Sequence, residues 1–161
     1  MAENKVLVVY YSLDGDCDLI ARDLQEITGA DLERLYPESE PHGKGFGKIF
    51  IGAFTARIGL KVRIRPLKHK IEDYNTIIIV SPVWAGTFPP AIGTFLKKEH
   101  FTGKDVHLLA SSGSGEASKM LEQMKMALSG NNILLDLSLK SPLADPDRTK
   151  QKLEEFCLAF F

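Results

Sequence analysis

Residues 12–18 read SLDGDCD, which sets one hydroxyl, one glycine, three carboxylates and one thiol within a single turn's length. Four chemistries use such groups. Carboxylates at alternate positions 14, 16 and 18 copy the opening of a calcium loop, but Leu19 stands where that loop needs glycine and Gln25 where it needs its bidentate glutamate. Cys17 at the start of a helix is either a thiol activated by the helix amides or a small packing residue, and no second cysteine lies near it. The free N–H groups of a helix N-terminus around Gly15 can cradle a phosphate without any lysine. The acids oppose this: two unit charges about 7 Å apart repel by roughly 0.6 kcal/mol in water and roughly 2.4 kcal/mol at an effective dielectric of about 20. The fourth reading is structural, with Asp14 or Asp16 capping the helix; it and a residual phosphate site both stay open.

Two further stretches carry candidate binding groups. Residues 81–92, SPVWAGTFPPAI, hold the single tryptophan, Trp84, between prolines and a glycine. Residues 110–117, ASSGSGEA, offer amides and hydroxyls suited to a polar ligand edge, though such runs are also ordinary turns. Other matches fail. Gly113, Gly115 and Ser118 fall short of the dinucleotide fingerprint G-x-G-x-x-G, and residues 43–48, GKGFGK, lack Walker-loop spacing. A phosphoacceptor site of the response-regulator type would use Lys140 but needs an aspartate where Ser81 stands. Histidines 42, 69, 100 and 107 show no metal spacing. No side chain qualifies as catalytic acid, base or nucleophile.

The elements that must position these loops alternate along the chain. Residues 6–11, 32–36, 76–80, 106–110 and 133–139 have strand character, and residues 6–11 and 76–80 are continuous apolar runs of the kind found in strands covered on both faces. Between them lie stretches of helical period: one on Leu19, Ile20, Leu24 and Ile27 with Gly29 as a stop, one over residues 46–58, one opened by Pro89 and Pro90 through Leu96, one over residues 116–128, and one after Asp145-Pro146. Five strands alternating with five helices predict an α/β domain, a doubly wound parallel sheet in three layers spanning residues 1–161, because parallel neighbours need crossovers that cover the sheet. In such folds ligands bind beyond the carboxyl ends of the strands. That places the loops over residues 12–17, 81–90 and 111–116 together.

These three loops, in this order, resemble the flavodoxin family of flavin mononucleotide (FMN) proteins over almost the whole chain. The resemblance implies sheet order 2-1-3-4-5 and an FMN site made by Ser12, Asp14, Gly15, Asp16 and Cys17 at the phosphate, Pro82, Val83, Trp84, Ala85 and Gly86 beside the isoalloxazine ring, and Ser111, Ser112, Gly113, Ser114 and Gly115 at its polar edge. The family's first loop is usually hydroxyl-x-Thr-Gly-Asn-Thr; here Ser12 and Gly15 match while Asp14, Asp16 and Cys17 depart. The resemblance also implies that Trp84 flanks the ring and that the Ala85–Gly86 peptide turns toward the flavin, a rotation Gly86 would ease. The implied role is electron carriage or NAD(P)H-dependent reduction. Its rival is a flavodoxin-fold binding module that has lost FMN through its acidic first loop.

Composition restricts the partners. The 161 residues carry 20 basic and 21 acidic side chains, which leaves no overall electrostatic footprint for nucleic acid. The N-terminus enters a strand without a leader-like pattern, no apolar run is long enough for a bilayer, and two cysteines fit a reducing compartment, so a cytoplasmic location is expected. Residues 42–70 hold eight Lys or Arg and no acid. They form a solvated face or a docking surface for an acidic redox partner protein or the phosphates of a nicotinamide dinucleotide; a small-molecule electron acceptor is the other expected partner.

Overall fold

The structure, a computed structural model, describes residues 3–38 and 62–160. Strands β1 (Val6–Tyr10), β2 (Asp31–Arg34), β3 (Thr76–Pro82), β4 (Asp105–Ser112) and β5 (Asn132–Lys140) form one parallel sheet in the order β2-β1-β3-β4-β5. The described helices are α1 (Asp16–Thr28), α2 (Pro90–Lys98), α3 (Ser118–Ala127) and α4 (Pro146–Leu158). The helix expected over residues 46–58 lies outside the described residues. None of the described helices is long and apolar enough to cross a membrane.

Period-two alternation divides the apolar strand residues between two cores. Leu7, Val9, Ile77, Ile79 and Leu108 pack with Ile92 and Phe95 of α2 and Met120 and Met124 of α3. Val6, Val8, Ile78, Val80 and Leu109 face the other way, against Ile20 and Leu24 of α1 and Leu153 and Phe156 of α4. Every residue of β1 and β3 is buried, as a strand covered on both faces requires.

The helix ends follow from local chemistry. Gly29, at φ 72°, stops α1 and donates its N–H to the Gln25 carbonyl at 2.8 Å, a left-handed C-cap that glycine adopts without a Cβ penalty. Asp145 accepts from the Arg148 N–H at 3.1 Å, with Pro146 in the first turn of α4. Helix α3 begins two residues later than its apolar pattern suggests, because Glu116 stays outside and accepts from the Ser118 N–H at 2.8 Å. Strands β3 and β4 run two residues beyond their apolar stretches: Ser81 and Pro82 pair with Ala110 and Ser111, and Ser111 and Ser112 with Leu139 and Lys140. Neighbouring ladders carry them past the point where side chains stop signalling a strand, and this extension delivers Pro82, Ser111 and Ser112 to the sheet's carboxyl edge.

Candidate functional site

At that edge a cleft of about 240 Å³ is lined by Leu13, Asp14 and Asp16 after β1, Pro82 to Ala85 after β3, and Ser111, Ser112 and Gly113 at the end of β4. Its middle wall is a two-residue hairpin. Trp84 and Thr87 exchange N–H to carbonyl bonds at 2.8 and 3.0 Å, and Ala85 and Gly86 between them take φ 49° and 79°. Positive φ at both central residues is the signature of a type I′ turn, and at Ala85 it stores about 1–2 kcal/mol. The Thr87 hydroxyl donates to Gln123 Oε1 of α3 at 2.6 Å, which ties the hairpin to the body of the fold. Half-buried Trp84 meets the buried Tyr11 ring edge to face, with centroids 5.6 Å apart.

This geometry amends the expectation at Gly86. Rotating the Ala85–Gly86 peptide converts a type I′ turn toward type II′, which wants glycine at the first central position. Ala85 occupies that position, so the freedom at Gly86 is offset by a restriction at Ala85.

The first turn is closed by its own side chains. Ser12, buried, accepts from the N–H groups of Gly15 at 3.2 Å and Asp18 at 3.3 Å. Asp14 accepts from the Asp16 N–H at 3.2 Å. Asp16 caps nothing; its carboxylate reaches away from α1 to the Leu143 N–H at 2.9 Å and the Ser111 hydroxyl at 3.4 Å, joining the first loop to β4 and to the 3-10 turn Pro142–Ala144. Asp18 pairs with Arg34 at 2.7 Å, and Arg34 also donates to the Ser12 carbonyl at 3.1 Å. Of the two structural alternatives, Asp14 takes part of the capping role, and Ser12, which the sequence marked only by its hydroxyl, takes most of it.

Five of the expected positions do not line the cleft, apart from the buried cap Ser12. Gly15 forms the left-handed N-cap of α1 at φ 105°. Cys17 is 1% exposed and packs in the core beneath α1. Burial, reinforced by Asp14, Asp16 and Asp18, pushes its thiol well above the ordinary range, which removes the activated-thiol alternative. Gly86, Ser114 and Gly115 lie outside the lining. Sequence reasoning passed over Leu13, an unspecified position in the family pattern, and the Asp16 to Leu143 bridge, whose partners are 127 positions apart.

Ser112 carries the clearest mark of a binding surface. It lines the cleft, yet its Oγ is buried without a hydrogen-bond partner among the described residues. Buried hydroxyls are normally paired, so this one has hydrogen-bonding capacity left for a water or a ligand. Two larger clefts, of about 440 Å³ and 370 Å³, lie at the amino ends of β1 and β2 and beside β5 and α4. Neither sits at the carboxyl ends of β1, β3 and β4, where doubly wound sheets place their ligands.

Sheet order and cleft position define the class: a doubly wound α/β protein with, among the described residues, a cleft formed by the loops after its first and third strands and the end of its fourth. The flavodoxin family model matches residues 60–155. The chain belongs to the flavodoxin family. No curated protein matches it. Among solved structures, a candidate flavoprotein from Bacteroides uniformis superposes with a TM-score of 0.77 at 21% identity, covering 95% of this chain and 99% of that one. A flavoprotein from Lactobacillus acidophilus, solved in complex with FMN, gives 0.68 at 19% identity over 83% and 92%. Oxidised flavodoxin 2 from Bacillus cereus gives 0.61 at 18% identity over 97% of each chain. At these identities the likeness establishes the fold.

Proposed function

We propose that this protein binds a flavin of the FMN class, with the isoalloxazine ring in the cleft between Trp84 and Ser111 to Gly113, and passes electrons to or from a second molecule. The observation that carries the reading is the buried, unpaired hydroxyl of Ser112, a residue that lines the same cleft as a braced tryptophan hairpin. An aromatic side chain and polar strand ends in one cleft suit a flat ring with one apolar and one hydrogen-bonding edge. A volume of about 240 Å³ is small against the roughly 300–1,000 Å³ of sites that enclose a whole ligand, so the ring would keep an edge in solvent. A bound flavin supplies the electron chemistry, and the chain supplies orientation and exclusion of water from one ring face. The exposed edge favours direct exchange with a partner, either a redox protein or a small acceptor, with NAD(P)H as the electron donor if the protein is a reductase.

The second reading, a flavodoxin-fold module without flavin, draws on one observation: the amides of the first turn are occupied by Ser12 and Asp14. Titration of the purified protein with FMN, followed by fluorescence of the single tryptophan, separates the two. Saturable quenching that disappears in Ser112→Leu supports the flavin site. Unchanged fluorescence, with no visible flavin absorbance in the purified protein, supports the module.

A further inference from the structure

We infer that the cleft selects its flavin by the ring and discriminates against the phosphate, so that riboflavin binds at least as tightly as FMN, with Asp14 and Asp16 as the specificity-determining residues. This rests on the flavin reading above. A phosphate held at a helix N-terminus needs free N–H groups and a local positive potential. Here three of the N–H groups at the start of α1, those of Gly15, Asp16 and Asp18, already donate to Ser12 and Asp14. The carboxylates of Asp14 and Asp16 line the same cleft and have no ion-pair partner among the described residues. The guanidinium beside the turn, Arg34, is held by Asp18.

Asp16 is fixed in place rather than free to swing aside. Its two oxygens accept from the Leu143 N–H and the Ser111 hydroxyl, one each. A phosphate entering here would displace side-chain acceptors from the amides and stand beside two negative charges, one of them held in place at Asp16. The uncharged ribityl chain of riboflavin meets neither obstacle, and its hydroxyls can donate to those same carboxylates.

The test compares riboflavin and FMN on the unmodified protein by Trp84 fluorescence, at low and high salt, and repeats it on Asp14→Asn/Asp16→Asn, which removes both charges and keeps one acceptor oxygen on each side chain. The expected result is a riboflavin affinity equal to or above that of FMN. Added salt should tighten FMN alone, since screening relieves repulsion. The double variant should tighten FMN by about tenfold or more and change riboflavin by less than about threefold. FMN binding about tenfold tighter than riboflavin by the unmodified protein, and weakening with salt, overturns the inference while leaving the flavin reading intact. Binding of neither flavin overturns the flavin reading itself. The salt and ligand comparisons need no variant, so a misfolded double variant cannot shield the claim.

Discussion

At the scale of single residues, one hydroxyl stands out for what it lacks. The buried Ser112 Oγ has no partner among the described residues, and an unsatisfied buried polar group costs about 1–3 kcal/mol. Ser112→Ala should therefore leave the flavin-free protein as stable or raise its thermal midpoint, while weakening flavin binding several-fold. A lowered midpoint with unchanged affinity would show that the hydroxyl belongs to the fold alone. Nothing in ASSGSGEA distinguishes Ser112 from its neighbours: residues 111–115 were all legible as a polar loop, but which hydroxyl is buried and unpaired depends on β4 extending through Ser112 beside β5. The same limit applies to the acids after β1. Their repulsion of a phosphate could be read from the sequence, whereas the division of labour could not, because Asp14 serves the turn, Asp18 serves Arg34 and Asp16 reaches a residue near the far end of the chain.

At the scale of elements, the strands and helices were the most legible part, since period-two and helical patterns are local. Their ends were less so. β3, β4 and α3 each shift by about two residues from their apolar patterns, set by ladder partners and by the Glu116 carboxylate. One element-level device left no sequence signal. Glu33 on the edge strand β2 is 3% exposed and accepts from the N–H groups of Lys68 and His69, at 3.0 and 2.8 Å, and from His69 Nδ1 at 2.8 Å. A lone glutamate in DLER reads as solvent-facing, but here it fastens the chain that returns to the sheet before β3. Charge-assisted bonds of this kind are worth about 1.5–3 kcal/mol, so Glu33→Ala should lower the unfolding free energy in urea by about 2–4 kcal/mol, and Glu33→Gln by less. A change below about 0.5 kcal/mol for the alanine variant would contradict this account of β2. The basic run over residues 42–70 lies mostly outside the described residues; within them, Arg63 and Arg65 are exposed and the Arg65 guanidinium sits 5.6 Å from the Tyr36 ring centroid.

For the whole molecule, β4 and α4 are joined through a buried imidazole. His107 is 1% exposed, stacks on Phe160 at 3.9 Å and meets Phe156 edge to face at 5.7 Å, with Nδ1 unpaired among the described residues. Burial lowers its pKa from the ordinary 6.5, with Asp105 pulling weakly the other way. The unfolded chain therefore takes up this proton before the folded one does. Stability from the neutral imidazole is complete above about pH 6.5 and declines as pH falls through that value toward the lower folded pKa. Urea midpoints should fall between pH 7.5 and 5.5 more steeply for the native chain than for His107→Leu; equal slopes would remove His107 from the acid response. The central claim concerns the opposite end of the sheet, and backbone-amide NMR during a riboflavin titration tests it most directly. The account predicts shifts confined to residues 13–16, 83–86 and 111–115 and the Trp84 indole. Shifts centred instead on residues 3–6 and 28–31, at the larger cleft by the amino ends of the strands, or no shifts at saturating flavin, would contradict it.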